Sequence, residues 1–390
     1  MKVWLAGLVL AASAASAHST QSEGGEPASP TLVVIESHLA PVNLSATSER
    51  NEWNPRFSPD GQYLSFERRE GAAQAILIVD TEAPEAPPIR VSSMKQEASS
   101  VEAAFLSLGA DDESFNTQLS FFPKGPDGSR FVFTGNEGSG IYRIYEGGMA
   151  GAPVALSSES KEDGHPAVSP DGRWLVYVSA RKGVGKLYLR DLSTGEERPI
   201  TEGDEMDLFP AWSPDGTSLA YTSGDNDNHD IFVIRGVTGL TPETVQLTSW
   251  SFDDLRPAFS ADGSSIAFYS SYNPAGEDKV WSIVAAPADG SGPKKGAALA
   301  ARAFAMNVVK DPEVGPAWLP GGQSLVYARD SKKEFNPIYV VDAATKEERR
   351  IETGTRMNHD LVCSSRGVLA FRAQVASWDD IFLVPLVRLP

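Results

Sequence analysis

Phe209-Pro210-Ala211-Trp212-Ser213-Pro214-Asp215-Gly216-Thr217-Ser218-Leu219-Ala220-Tyr221 is the stretch that decides the fold. Its centre, Ser213-Pro214-Asp215-Gly216, is a hairpin turn with a chemical reason at each place. Proline fixes φ, aspartate hydrogen-bonds the backbone just ahead of it, and glycine takes the φ > 0 position. Trp212 before the turn, and Leu219 and Tyr221 after it, fall at period two, which predicts antiparallel strands with one buried face each.

The turn recurs along the chain. Ser58-Pro59-Asp60-Gly61 and Ser169-Pro170-Asp171-Gly172 repeat it, and Gly125-Pro126-Asp127-Gly128 and Ser260-Ala261-Asp262-Gly263 vary it. Leu319-Pro320-Gly321-Gly322 and Ser364-Ser365-Arg366-Gly367 are weaker copies where the period places them. From Asp127 onward the aspartates follow one another at 44, 44 and 47 residues, the length of a four-stranded propeller blade. Third strands are predicted at Ile76–Val79, Ile141–Ile144, Leu187–Leu189, Ile231–Ile234, Val280–Ile283, Ile338–Val341 and Ile381–Val384, and outer fourth strands include Val154–Leu156, Pro199–Thr201 and Val245–Thr248. Ala297–Val309 is the best helix candidate. Val42–Ser45 reads as a fourth strand with no blade before it, while the last unit lacks one, so the N-terminal strand is expected to complete the last blade and leave the ring without open edges. The fold class is therefore all-β, a single closed β-propeller over residues 31–390 with seven antiparallel blades. Six blades stay open as the alternative, because the second and seventh units match the pattern poorly.

Before the propeller, residues 1–17 read as a secretory signal, with Lys2 as the positive end, an apolar run from Val3 to Ala12 and a small-residue cleavage site at Ala15-Ser16-Ala17. Residues 18–30, rich in Ser, Gly, Glu and Pro, are expected to be a disordered leader. No later stretch reaches the ~20 apolar residues of a membrane span. The chain is thus expected to be periplasmic or secreted and not membrane-spanning. Its 34 basic and 52 acidic residues give a net charge of −18, which repels nucleic acid and anionic lipid. Cys363 is the one cysteine, so no internal disulfide can form, and its apolar neighbours make it a small buried hydrophobe.

Pro55 to Gly61 and Pro210 to Gly216, both Pro-x-(Phe/Trp)-Ser-Pro-Asp-Gly, resemble the β-propeller repeat of TolB and its relatives. The resemblance covers nearly all of the chain after the leader and is specific for fold. It implies a periplasmic scaffold that binds other envelope proteins, although the same repeat occurs in propellers that accompany peptidases and in polysaccharide lyases. Only about thirteen leader residues precede Thr31, so the separate N-terminal α/β domain of TolB itself is not expected.

Several chemistries find no support. There is no Gly-x-Ser-x-Gly elbow for a serine hydrolase, and the five histidines show no His-x-x-x-His spacing for a preformed metal cage. Asp225-Asn226-Asp227-Asn228-His229-Asp230 is rich in oxygen but lacks the glycine and distal glutamate of an EF-hand loop. A sharper pattern lies three residues before the proline that opens each good motif, where an acid stands in all five: Glu52, Asp163, Asp207, Asp254 and Glu313. The residues beside the proline, Asn54, His165, Phe209, Arg256 and Gly315, vary. The acids are expected as a ring at the mouth of the central channel. In one reading each accepts hydrogen bonds from the backbone of its own or a neighbouring blade and so locks blade to blade. In the other they attract a basic peptide or a cation, calcium being the candidate, with no other cofactor evident. Variable side chains on a fixed frame would give such a mouth its specificity. The function expected is noncatalytic, a scaffold holding an envelope protein or peptide at that mouth. The enzymatic rival is a polysaccharide lyase or hydrolase, which needs His165 and Arg256 to converge on a common point.

Overall fold

The repeated turn is held by the same bonds wherever its sequence is intact. Ser58 Oγ donates to Asp60 Oδ1 at 2.7 Å, that oxygen also accepts the Gln62 N–H at 3.0 Å, and Ser58 Oγ accepts the Tyr63 N–H at 2.9 Å. The three bonds recur at Ser169 and Asp171, at Ser213 and Asp215, and at Ser260 and Asp262. Gly61, Gly172, Gly216 and Gly263 close these turns at φ between 71° and 73°, where a side chain costs roughly 1–2 kcal/mol. The turns also lean on one another. A Cβ on Gly216 would lie 3.5 Å from Pro170 Cδ, and one on Gly263 would lie 3.6 Å from Pro214 Cδ. The proline and glycine of the motif thus meet across neighbouring blades as well as shaping their own turn.

The computed structural model describes residues 41–44, 51–71, 73–91, 116–123, 130–136, 141–157, 162–225, 228–272, 280–311, 314–330 and 336–386. The expected signal and leader, the whole Gly125–Gly128 turn, and Glu313 lie outside these residues. Seven four-stranded antiparallel sheets form a seven-bladed propeller, so the six-blade alternative falls away. Blade 1 is Glu52–Phe57, Tyr63–Glu70, Ala73–Asp80 and Ile89–Val91, and blade 2 is Asn116–Phe121, Arg130–Gly135, Arg143–Gly148 and Val154–Ala155. Blade 3 is Asp163–Val168, Trp174–Lys182, Val184–Asp191 and Glu197–Pro199, and blade 4 is Met206–Trp212, Ser218–Gly224, His229–Arg235 and Glu243–Gln246. Blade 5 is Asp254–Phe259, Ser265–Ser270, Trp281–Pro287 and Ala303–Val308, and blade 6 is Ala317–Trp318, Ser324–Ala328, Ile338–Asp342 and Glu348–Ile351. Blade 7 takes Arg356–Cys363, Val368–Val375 and Trp378–Pro385 from the far end of the chain and Val42–Asn43 from the near end. Val42 pairs with Leu383 and Asn43 with Phe382, and Asn43 Nδ2 donates to Asp380 Oδ2 at 2.7 Å. The expected closure of the ring is therefore present.

The core lies between blades rather than on one side of each. Seven buried clusters each join two neighbours, as when Leu64 and Phe66 pack with Ala370 and Leu383 across blades 1 and 7. Middle strands are consequently buried on both faces: Leu175 and Tyr177 face blade 2, and Val176 and Val178 face blade 4. This corrects the expectation of one buried face, because a blade in a ring has a neighbour on each side. Further clamps cross the interfaces, Trp212 Nε1 donating to Ala167 O at 3.0 Å and Trp318 Nε1 to Ala258 O at 3.1 Å.

Four local expectations shift, among them the third strand of blade 2, which runs Arg143–Gly148 and not Ile141–Ile144. Ala297–Val309 is not one helix, since Gly296–Ala300 makes a single helical turn and Ala303–Val308 is the fourth strand of blade 5, paired with Trp281–Val284. Pairing to an open sheet edge outweighs the helix propensity of the alanines there. The fourth strands of blades 3 and 4 begin two residues earlier than expected, at Glu197 and Glu243. No helix among the described residues is long and apolar enough to cross a membrane.

Candidate functional site

The innermost strands of blades 1 to 5 carry a register shift near their starts, between Trp53 and Arg56, Thr117 and Ser120, Gly164 and Ala167, Leu208 and Ala211, and Leu255 and Ala258. The residue inside the shift sits in the left-handed region: Asn54, Gln118, His165, Phe209, Arg256 and, in blade 7, Asp360, all at φ between 51° and 57°. In blades 1, 3, 4 and 5 the next residue is proline, which has no N–H for the ladder, and the strand bulges there. Such a conformation costs about 1–3 kcal/mol for a residue with a side chain, and its recurrence shows that the surroundings fix it. The freed N–H groups bond to the preceding blade. Gln118 N donates to Glu67 Oε1 at 2.9 Å, His165 N to Gln118 Oε1 at 2.7 Å and Arg256 N to Thr222 Oγ1 at 3.1 Å.

The expected acid ring is turned inward. Glu52, Asp163, Asp207 and Asp254 are at most 3% exposed, and none lines the channel. Glu52 accepts from Arg68 Nε at 2.6 Å within its own blade, whereas Asp207 takes the buried Lys186 Nζ of blade 3 at 2.9 Å. Asp163 lies 3.9 Å from Arg181, and burial holds its carboxyl above the ordinary range despite bonds from Ser179 and Ser157. Asp254 has only neutral donors, Trp250 Nε1 at 2.7 Å together with Ser270 and Thr248, so burial pushes it up to about 7. The donors are side chains, some within the acid's own blade, as Arg68 to Glu52, and some from the neighbouring blade, as Lys186 to Asp207. Among the described residues no three His, Cys, Asp or Glu side chains stand together as a metal site.

The variable residues divide. Asn54 is buried and donates to Glu67, while His165, Phe209 and Arg256 open onto a channel cavity of about 510 Å3. There they touch in sequence around the ring. His165 Nε2 lies 3.5 Å from Gln118 Nε2, its ring meets Phe209 edge-on at 4.8 Å, and the Arg256 guanidinium sits over the Phe209 face at 3.7 Å. Phe209 thus touches both His165 and Arg256. Burial, with Arg256 and Arg56 beside it, lowers His165 to about 4, so the imidazole is neutral at physiological pH. Gly315 continues the ring, and a Cβ there would meet Arg256 O at 2.6 Å.

Sequence reasoning missed Gln118, Arg56 and Glu67. Gln118 holds the bulge position of blade 2 but precedes Leu119 instead of proline, which hid the alignment. Arg56 lines the cavity where blades 3 to 6 place Ala167, Ala211, Ala258 and Ala317, and that one departure was legible in the repeat. Glu67, 3% exposed, accepts from Trp53, Asn54, Gln74, Thr117 and the Gln118 N–H, binding blade 2 to blade 1. No turn or motif marks it. Cys363 also lines the channel, half-buried, with its thiol raised to about 12 by burial.

Residues 131–290 match the family model described as the TolB beta propeller domain. An uncharacterized protein of Agrobacterium fabrum is 24% identical over 191 residues, 49% of this chain and 57% of that protein. A Tol-Pal system protein TolB of Desulfosudis oleivorans is 32% identical over 106 residues, 27% of this chain and 24% of that one. The chain therefore spans between a quarter and a little over half the length of these relatives. Among solved structures, an oligogalacturonate lyase from Vibrio parahaemolyticus superposes with a TM-score of 0.60 at 14% identity, covering 91% of this chain and 95% of that one. At that identity the likeness is one of fold.

Proposed function

The chain is a TolB-like β-propeller, and on that premise we propose that it is an exported, noncatalytic binding protein that holds a partner protein or peptide at the mouth of its central channel. The observation that carries the reading is the contact chain Gln118, His165, Phe209 and Arg256, four different side chains presented by four identical strained backbones around one cavity. A rigid frame with variable contacts suits recognition, because little ordering entropy remains to be lost on binding. Kinship with Tol-Pal system proteins supports an envelope setting and a protein partner.

A lyase or hydrolase acting on a polysaccharide is the second reading, favoured by His165 and Arg256 opening onto the same cavity. It is the weaker one, since the imidazole and the guanidinium both pack on the Phe209 ring. The net charge of −18 also disfavours an anionic polymer.

Selection of a displayed random peptide library on the full chain separates the two. Peptides that bind the parent and weaken at least tenfold with Phe209→Gln support the binding reading. Peptides indifferent to Phe209→Gln, or release of unsaturated products from oligogalacturonate that ceases with His165→Gln, would overturn it.

A further inference from the structure

The sign of charge in the channel is opposite to that of the chain. Against 52 acidic and 34 basic residues overall, the cavity wall carries Arg56 and Arg256 and no carboxylate among its described residues. The acids that a channel mouth was expected to show are turned into the blades, Glu52 onto Arg68 and Asp207 onto Lys186. What faces the space is therefore a pair of guanidinium groups at two levels of the channel. Arg256 stands in the bulge ring and Arg56 one ring further in, where four other blades have alanine. Arg256 is 8% exposed and rests on the Phe209 ring, which limits the orientations its planar fork can take. A guanidinium so placed matches a carboxylate with paired hydrogen bonds.

We propose that the channel is a receptor for a single carboxylate carried on an otherwise uncharged peptide segment, an acidic side chain or a chain end, taken by Arg256 with Arg56. This rests on the reading of the mouth as a peptide-binding site and reverses the sign expected from the acid pattern. A single carboxylate fits better than a polyanion because the net charge of −18 repels each further negative group that stays outside the channel. The rest of the wall suits uncharged side chains: Ala167, Ala211, Phe259 and Trp318 offer apolar surface, and Gln118 a neutral amide. His165, lowered to about 4, adds no positive charge near neutral pH and leaves the anion to the arginines. The cavity of about 510 Å3 falls within the roughly 300–1,000 Å3 of small-ligand pockets, room for a side chain or two and not for a folded domain.

The repeat itself supplies variants that keep the fold. Glutamine already stands at the bulge position as Gln118, at the same left-handed φ, so Arg256→Gln is tolerated by the backbone. Alanine already stands at the Arg56 position in blade 3 as Ala167, so Arg56→Ala is too. The probes are library-selected peptides that compete for the channel, each also made with Glu→Gln or Asp→Asn at its acidic residue and with an amidated C-terminus, titrated on the full chain and on both variants with melting curves as folding controls. The expected result is a loss of at least tenfold when the acidic residue is neutralised, or when the C-terminus is amidated if the chain end is the anchor. Arg256→Gln should give the same loss with the acidic peptide and little further loss with its neutral counterpart. Channel-binding peptides that tolerate neutralisation, or that are basic, overturn the carboxylate proposal while leaving peptide binding intact. If no peptide competes for the channel, the binding reading falls and this proposal with it. Arg256-dependent binding of oligogalacturonate in place of peptides would reassign the arginines to a polymer and overturn the peptide form of the proposal.

Discussion

The two ends of each innermost strand obey different rules. At the turn end, the serine, aspartate and glycine are constant in four blades, and so are their three hydrogen bonds and their φ near 72°. At the bulge end the backbone is equally constant, φ between 51° and 57°, while the side chain changes from Asn54 to Gln118, His165, Phe209 and Arg256. Uniform residues at one end stack neighbouring turns on each other, and at the other end Gln118, His165, Phe209 and Arg256 line a cavity. The contrast teaches that the fold needs the bulge geometry and leaves its side chain free, which is where selection for a ligand can act.

Removing structure behind the mouth has the largest expected effect. Asp207→Asn leaves the buried Lys186 ammonium without its carboxylate, and such a loss costs about 3–5 kcal/mol. Urea unfolding at pH 7.5 reads it directly. The equivalent change Asp254→Asn strands no charge, because Asp254 has only neutral donors, and it is expected to be much milder in the same assay. If the two substitutions cost the same, the distinction between an ion-paired and a neutral lock is wrong.

Next in size is a pH effect from Asp254. Its folded carboxyl, raised to about 7, binds its proton more tightly than the unfolded one near 4. Its contribution is full below pH 4 and is lost as the pH rises through 7. Between pH 5 and pH 8 the parent should lose on the order of 2 kcal/mol more than Asp254→Asn does. A difference of zero or opposite sign would show that the group is ionised in the fold.

At the turn end, Gly216→Ala places a Cβ at φ 71° and 3.5 Å from Pro170, for roughly 1–2 kcal/mol. Gly71→Ala, also at positive φ but with open space around it, controls for strain alone. At 3.5 Å the added Cβ makes ordinary contact, so the two losses are expected to match. The smallest effect is at the bulge end, where Arg256→Gln is expected to stay within about 1 kcal/mol by urea unfolding.

The propeller was legible because period, turn chemistry and strand patterning repeat, and even the closing strand could be placed from Val42 and the unit it completes. The direction of the acids was not. In an unbroken strand Glu52, Asn54 and Arg56 would share one face. The bulge between Trp53 and Arg56 breaks that phase, sending Glu52 into the blade and Arg56 into the channel. Gln118 escaped because Leu119 replaces the proline that marks the bulge elsewhere. Glu67 escaped because a buried hub is defined by donors from two blades, and nothing local in Phe66-Glu67-Arg68 announces them.

The most direct measurement of the central claim sets the two ends against each other: peptide affinity and unfolding free energy for Phe209→Gln and for Gly216→Ala, at a temperature where both are folded. The account predicts that the mouth variant loses at least tenfold in affinity with nearly unchanged stability, and that the turn variant loses stability with unchanged affinity. Affinity that follows stability in both variants, or survives Phe209→Gln, would contradict it.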